Sequence, residues 1–337
     1  MKELLKVQNL SVTFSAYNGA VRAVRDVSFT IYEGETVAMV GESGCGKSVT
    51  AKAVMRLLDR TSAKVAPESL VEYNGQNLLT LKRRELNQVR GRDVGMVFQD
   101  AMASLNPTMT IGAQMMETIR THLKLGKAAS AQRARELLSM VELPEPAEQM
   151  RRYPHQLSGG QRQRVMIAMA LSCEPKLLIA DEPTTALDVT IQAQILSLLQ
   201  KLQKQLGMSV LLITHDLGIV AGAADRVQVM YGGRIVERGT TAEIFHAPQH
   251  PYTAALLTAI PRRSMEHRSA LYALSGTPPD LRLELDHCPF AARCRYAMPV
   301  CKKQRPAETG TAHQVSCWLA DARAPKVELT EGGAANV

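Results

Sequence analysis

A glycine-rich segment that ends in lysine and serine is the feature that most constrains this chain. Residues 41–48 read GESGCGKS, which fits the pattern G-x-x-x-x-G-K-[ST], and they follow the apolar run Thr36–Val40, which predicts a buried strand. Glycines let consecutive backbone N–H groups point inward at phosphate oxygens, and a helix predicted over residues 48–58 adds its positive N-terminal end. The segment therefore predicts a phosphate-binding loop between a strand and a helix.

The residues of this loop have distinct predicted roles. We expect Lys47 to reach the β- and γ-phosphates of a nucleotide and Ser48 to offer its hydroxyl to Mg²⁺. The residues expected to contact the nucleotide are Gly41, Ser43, Gly44, Cys45, Gly46, Lys47 and Ser48. The alternative is a chance glycine-rich turn.

Two adjacent acids follow a second apolar segment. Leu177–Ala180 predicts a buried strand, and Asp181 and Glu182 come directly after it. We expect Asp181 to hold the Mg²⁺ shell and Glu182, which projects differently, to orient or deprotonate the attacking water. A paired surface acid is the alternative for Glu182. Together the two motifs indicate hydrolysis of a nucleotide phosphate.

Periodicity predicts an α/β organisation for most of the chain. Residues 4–40 have strand composition, in short runs at 5–7, 10–14 and 27–31, and residues 110–145 have helical spacing with Ser130 as a candidate N-cap. Strand and helix signals then alternate, as in a largely parallel sheet. These later signals are Leu177–Ala180, Ile191–Gln205 and Val210–Thr214.

Composition and charge set wider bounds. The 337 residues allow one large domain or two smaller ones, and 45% hydrophobic residues can form a real core. Met1–Leu10 lacks a secretory signal, and the most apolar runs, such as Val165–Leu171, are far shorter than the ~20 residues of a membrane span. Any membrane role is therefore expected to be peripheral. The net charge of +8 suits nucleic acid, anionic lipid, a polyanionic ligand or ordinary surface variation.

A third motif introduces a family resemblance. Leu157–Gln161, LSGGQ, resembles the signature sequence of ABC ATPases and lies between the two nucleotide motifs, where that family carries it. The resemblance extends to Gln99 in the Q-loop, Ala186–Asp188 in the D-loop and His215 as the switch histidine. It covers roughly residues 4–245.

This resemblance implies a fold and a set of site residues. The implied fold is a P-loop NTPase of ABC type, with a mixed sheet core, an antiparallel β subdomain and an α-helical signature subdomain. Two ATPase subunits stack head to tail, so the signature motif of each completes the other's site. The implied catalytic residues are Glu182, His215 and Gln99, with Gln99 also joining Ser48 and Asp181 at Mg²⁺. Further implied nucleotide contacts are Ser158, Gly159, Gly160, Gln161, Asp188 and, stacked on adenine, Phe14, with Tyr17 as its alternative.

Other segments resemble one branch of the family, the oligopeptide/dipeptide importer ATPases. They are Arg152–Gln156, Ala180–Thr190, Phe245–Thr253 and the cysteine-containing stretch from Cys288. The resemblance implies a second, different ATPase subunit, two permeases that provide membrane association, an extracytoplasmic binding protein, no nucleic acid, and a peripheral place on the cytoplasmic face of the inner membrane. We accordingly expect an ABC ATPase domain over residues 1–250, a C-terminal module over 251–320 and a flexible tail over 321–337.

Four cysteines crowd into this C-terminal module. Cys288, Cys294, Cys301 and Cys317 have the spacing C-x5-C-x6-C-x15-C, whose gaps are longer than those typical of zinc sites. The family resemblance implies a [4Fe–4S] cluster here. Zinc and a cluster of cysteines without metal are the alternatives.

Two other functions compete with peptide import. An ABC ATPase that works on nucleic acid or ribosomes typically fuses two cassettes or inserts long coiled coils, and this chain has one cassette and no heptad run. A transporter for nickel chelates or other small solutes would have the same motifs, because other subunits bind the cargo.

Overall fold

The computed structural model describes residues 2–17, 19–185, 187–260 and 274–329. Its strands are β1 Glu3–Ala16, β2 Gly19–Tyr32, β3 Thr36–Val40, β4 Ala63–Val65, β5 Leu70–Tyr73, β6 Gln76–Asn77, β7 Val94–Val97, β8 Leu177–Asp181, β9 Ser209–Thr214, β10 Arg226–Tyr231, β11 Arg234–Thr240, β12 Thr309–Gly310 and β13 Gln314–Val315. The tail predicted over residues 321–337 lies outside the described residues from residue 330 onward. Residues 261–273 and Ala186 of the predicted D-loop also lie outside them.

The α-helices are α1 Lys47–Val54, α2 Arg83–Gln88, α3 Ala101–Ser104, α4 Ile111–Leu123, α5 Lys127–Met140, α6 Pro146–Gln149, α7 Gly159–Ala170, α8 Val189–Leu206, α9 Leu217–Val220, α10 Thr241–His246 and α11 Pro251–Thr258. Over the described ranges, none of the helices combines the length and the apolar character needed to cross a membrane.

The chain divides into two compact units, each made of several chain segments. The first contains residues 1–4, 31–36 and 80–213, and the second contains residues 5–30, 37–79 and 214–337. The predicted boundary near residue 250 stays a prediction.

The first unit contains the parallel strands β7, β8 and β9 and the helices α2 to α8. β7 pairs with β8 and β8 pairs with β9, both in parallel, and every residue of β8 is buried. The predicted helical region over 110–145 forms α4 and α5, which pack against each other. Thr110 caps α4, its hydroxyl accepting a hydrogen bond from the Ala113 N–H at 3.3 Å.

Ser130 does not cap a helix, so that prediction is wrong. α5 starts one turn earlier, with Gly126 at its N-cap position, and Ser130 lies buried inside the helix. Its hydroxyl donates to the Gly126 carbonyl at 2.9 Å, a bond back to the preceding turn that serine also makes within helices.

The second unit contains an antiparallel sheet in the order β2-β1-β5-β6, with β4 also paired to β1. β1 runs unbroken from Glu3 to Ala16, although the sequence predicted two short strands there. Asn9, at φ 51°, lies between those two predicted strands. Asparagine tolerates this left-handed conformation, so the chain changes direction locally without ending the strand.

Mixed strand pairing in the second unit joins the phosphate-loop strand to the C-terminal region. β10 pairs in parallel with β3 and antiparallel with β11, and β11 pairs with β13 near the C-terminus. One hydrophobic cluster contains Val40 of β3, Tyr231 of β10, Tyr252 of α11 and Phe290. The C-terminal region therefore shares a core with the strand that precedes residues 41–48.

Candidate functional site

Residues 41–46 form a tight loop between β3 and α1, and Lys47 and Ser48 begin α1, so the segment joins a strand to a helix as the sequence predicted. Gly41 has φ 151° and Gly46 has φ 106°, both in the region that favours glycine. A Cβ atom would lie 2.1 Å from the Met230 carbonyl oxygen at Gly41, and 2.4 Å from that of Ala23 at Gly46. The backbone approaches its neighbours too closely at both positions for any side chain.

Lys47 folds its side chain back over this loop. Its Nζ atom donates to the carbonyl oxygens of Gly41 at 2.7 Å and Glu42 at 3.0 Å, and the residue is 4% exposed. Its ammonium is therefore held against the loop backbone, within the segment predicted to receive phosphates. Next to it, Ser48 lies half-buried in the first turn of α1.

The other loop residues divide by exposure. Ser43 and Gly44 lie at the surface, whereas Cys45 is buried. Burial raises the pKa of the Cys45 thiol, so this side chain packs as a neutral group. The loop can thus meet a ligand through its exposed middle while its ends are fixed in the core.

The two predicted acids lie at the end of β8 in the first unit. Asp181 is 2% exposed and Glu182 is 8% exposed. The Glu182 carboxylate accepts two hydrogen bonds on Oε2, from Gln99 Nε2 at 2.9 Å and from the Thr185 hydroxyl at 2.8 Å. The structure thus brings together Gln99 and Glu182, which are 83 positions apart in sequence.

Thr185 is a site residue that sequence reasoning missed. It lies three positions after Glu182 in the segment DEPTT, and the family resemblance implies no role for either threonine of that segment. Glu182 has φ 47°, a left-handed conformation that turns the chain sharply after the strand. The available signal in the sequence was the pair of hydroxyl side chains, Thr184 and Thr185, close behind the two acids.

The LSGGQ segment opens α7, which begins at Gly159. The Ser158 hydroxyl accepts from the Gln161 N–H at 3.3 Å, while the Gln161 side-chain oxygen accepts from the Ser158 N–H at 3.0 Å. This reciprocal capping box fixes the helix N-terminus, where N–H groups attract anions. A Cβ at Gly160 would lie 2.9 Å from Ile191 Cγ2, so α7 needs a glycine there to approach α8.

The remaining predicted contacts lie at the surface. Asp188 is exposed at the N-cap position of α8 in the first unit, next to Val189, which is 82% exposed. His215 is exposed directly after β9, in the second unit. Their roles in binding nucleotide stay predictions.

The adenine-stacking ring also stays a prediction. Phe14 is half-buried on β1, opposite Ala63 of β4. Tyr17 is fully exposed just beyond the end of that strand. Both aromatic rings lie in the second unit with the phosphate loop.

The prediction of a [4Fe–4S] cluster is wrong, and so is its zinc alternative. In the part of the chain that the structure describes, which includes all four cysteines of the C-terminal region, no group of three or more His, Cys, Asp or Glu residues is arranged to hold a metal ion. Cys288 and Cys301 are instead buried in the hydrophobic cluster of the second unit, and Cys294 packs against it. Burial raises the pKa of Cys288 to about 11 and that of Cys317 to about 12, which favours neutral thiols.

Two family models match the chain. The model described as ABC transporter matches residues 24–185, which include the phosphate loop, the signature segment and the two acids. The model described as Oligopeptide/dipeptide transporter, C-terminal region, matches residues 236–301.

Curated relatives match the chain along nearly its whole length. The dipeptide transport ATP-binding protein DppD of Bacillus subtilis (strain 168) is 51% identical over 332 residues, which cover 98% of this chain and 98% of that protein. The oligopeptide transport ATP-binding protein OppD of the same organism is 49% identical over 97% of this chain and 92% of that protein.

A solved structure confirms the predicted ABC-type fold. It is a dimeric ATP-binding cassette in a post-hydrolysis state bound to ADP and Pi, with a TM-score of 0.63 and 30% identity, and the match covers 71% of this chain and 99% of that chain. By these likenesses the chain belongs to the ABC transporter family, as an ATP-hydrolysing subunit of the oligopeptide/dipeptide transporter branch.

Proposed function

We propose that this chain hydrolyses ATP to drive the import of di- and oligopeptides through partner permeases. Relatives that are dipeptide and oligopeptide transport ATP-binding proteins support this cargo. In the proposed assembly the chain pairs with a second ATPase subunit and meets two permeases at the cytoplasmic face of the membrane. An extracytoplasmic binding protein delivers the peptide.

The side chains of the nucleotide motifs suit Mg-ATP. Lys47 and the loop N–H groups suit the β- and γ-phosphates, and Ser48, Asp181 and Gln99 carry the oxygen atoms that Mg²⁺ prefers. Asp181, 2% exposed at the end of β8, supplies a carboxylate, a group that binds Mg²⁺ readily. When bound, Mg²⁺ neutralises charge on the phosphates.

The observation that carries the catalytic part of this proposal is the double hydrogen bond on Glu182 Oε2. Gln99 and Thr185 donate to the same oxygen, at 2.9 and 2.8 Å, so the carboxylate has a fixed orientation. A general base needs such positioning to meet its water. Glu182 would take a proton from the attacking water. The water oxygen would then bond to the γ-phosphorus while the bond between the γ-phosphorus and the ADP oxygen breaks.

The signature segment would serve the neighbouring ATPase subunit. Ser158 and the N-terminus of α7 have hydrogen-bond donors and a positive helix end suited to a γ-phosphate. His215 would contact the γ-phosphate bound by its own chain and respond to its loss, and the exposed Asp188 would lie close to the nucleotide.

Uptake by membrane vesicles that contain the complete transporter tests this function. With ATP supplied on the side of the ATPase subunits, wild-type complex should accumulate a labelled dipeptide, and Lys47→Ala should abolish that uptake. Lys201→Ala is a matched control, because Lys201 forms an exposed ion pair with Glu142. ATP-dependent uptake of a nickel chelate without peptide uptake would overturn the peptide cargo and leave the ATPase assignment intact.

A further inference from the structure

Glu42, the second residue of the phosphate loop, has contacts to the C-terminal part of the chain. Its backbone N–H donates to the Tyr252 hydroxyl at 2.8 Å, and its carbonyl oxygen accepts from Lys47 Nζ at 3.0 Å. Tyr252 is 0% exposed in α11. The loop backbone is therefore tied at one residue both to the phosphate-binding lysine and to a buried tyrosine.

The Glu42 carboxylate forms a two-pronged ion pair with Arg293. The distances are 2.7 Å from Nη1 to Oε2 and 2.9 Å from Nη2 to Oε1, and the Arg293 side chain is 5% exposed. Such planar pairs are stronger and more directional than single contacts. Because the pair is largely withdrawn from water, salt screens it little.

The rest of the Arg293 guanidinium is also fixed. It donates to the Tyr231 hydroxyl at 3.2 Å and to the carbonyl oxygens of Leu274 at 3.2 Å and Ser275 at 3.0 Å. Phe290, three residues before Arg293, packs against Tyr231 with ring centroids 5.2 Å apart. Arg293 is therefore held in one position by the core, and it can hold Glu42 in turn.

We propose that Arg293 is a positioning residue for nucleotide binding, which fixes and neutralises Glu42 and so lets the C-terminal region set the phosphate affinity of the loop. This inference rests on the proposed binding of ATP by residues 41–48. Without Arg293, the carboxylate would lose its partner and add an uncompensated negative charge to a loop that must bind a polyanion. The loop would also lose the ion pair of Glu42 with Arg293 and would keep the hydrogen bond of Glu42 with Tyr252.

The proposal predicts a specific pattern of nucleotide affinity in the full-length chain, measured with a fluorescent ATP analogue. Arg293→Gln should raise the dissociation constant about tenfold, while Arg293→Lys, which keeps the charge, should restore part of the affinity. Glu42→Gln introduced into Arg293→Gln should recover affinity, because it removes the unpaired charge. In the assembled transporter, Arg293→Gln should raise the KM for ATP and leave kcat within about twofold of wild type.

Control variants separate this role from general stabilisation. Arg282→Ala removes an exposed ion pair with Asp280 in the same region and should leave ATP affinity unchanged. The proposal would be overturned by wild-type ATP affinity in Arg293→Gln. It would also be overturned if the double variant, Arg293→Gln with Glu42→Gln, lost ATP affinity by a factor equal to the product of the two single losses. Failure of the wild-type chain itself to bind ATP would instead overturn the proposed function. If Arg293→Gln does not fold, Glu42→Gln and Arg293→Lys are each compared with wild type. Wild-type ATP affinity in both of these variants overturns the proposal.

Discussion

Gln99 Nε2 donates a hydrogen bond of 2.9 Å to Oε2 of Glu182, and it thereby joins the second residue after β7 to the first residue after β8. Adjacent parallel strands place their C-terminal ends side by side, with Val97 in register with Ala180. The amide thus links the proposed general base to the Q-loop. A change in the position of Gln99 would move or release the carboxylate.

Glu182→Gln should retain ATP binding and lose turnover. The amide has nearly the same shape but cannot accept the proton of the attacking water, so kcat should fall by at least about 100-fold. Phosphate release by the assembled transporter, compared with nucleotide binding, checks this expectation. Glu174→Gln is the control, because Glu174 is an exposed acid paired with Arg133. A variant that kept most of its hydrolysis rate would remove Glu182 from the catalytic role.

Thr185→Val should lower kcat by about tenfold with little change in the KM for ATP. The substitution keeps the branched shape and removes a hydrogen bond to a carboxylate, a type of bond worth about 1.5–3 kcal/mol. Thr185→Ser should restore the rate, since it returns the hydroxyl. Thr61→Val removes a comparable but exposed bond to Asp59 and should have no effect. Equal rates for the valine and serine variants would argue against the orienting role.

Gly41→Ala should abolish nucleotide binding without unfolding the chain. Its Cβ would lie 2.1 Å from the Met230 carbonyl oxygen, so the loop must shift away from β10. Gly126→Ala is the control, because a Cβ there meets nothing within 4 Å and the backbone has φ −65°. ATP binding and thermal unfolding of both variants test this. Normal binding by Gly41→Ala would mean that the loop conformation has no part in recognition.

Local patterns predicted much of this fold and site. The phosphate loop and β8 depend on glycine positions and apolar runs, which are contained within a few residues. Arg293 and Glu42 are 251 positions apart, and only the folded chain brings them together. The [4Fe–4S] prediction came from the family resemblance, and it failed because a resemblance does not fix where the four side chains lie: Cys288 and Cys301 are buried in the hydrophobic cluster.

Ser158→Ala should reduce hydrolysis only in the assembled transporter. Its hydroxyl caps α7 and is proposed to face the nucleotide of the neighbouring subunit, so ATP binding by the isolated chain should not change. Loss of the cap should cost about 1 kcal/mol of stability. Thr240→Ala removes the same kind of capping box from α10 and isolates that structural cost. Concentration-independent, full activity in a monomeric preparation would contradict a shared site.

His250 should make the second unit less stable in mild acid. Burial lowers the pKa of His250 to about 4, compared with an ordinary value near 6.5. Above pH 6.5 the histidine is neutral in both the folded and the unfolded chain, so it gives no pH dependence. Between pH 6.5 and 4 the unfolded chain binds a proton that the folded chain excludes. The free energy of unfolding should therefore fall by up to about 1.4 kcal/mol per pH unit as the pH decreases.

A nearby histidine acts with the opposite sign. The hydrogen bond between His313 and the buried Glu237 raises the pKa of His313, so its stabilising contribution is present at low pH and is lost as the pH rises through that raised value. His250→Asn separates the two effects, because an asparagine oxygen can replace Nδ1 as the acceptor of the Tyr252 N–H. Urea unfolding at pH 7.5, 6 and 5 should show a weaker acid dependence for His250→Asn than for wild type. His246→Asn, at an exposed position, should match wild type at each pH. Parallel stability curves for His250→Asn and wild type would show that His250 does not resist protonation in the folded chain.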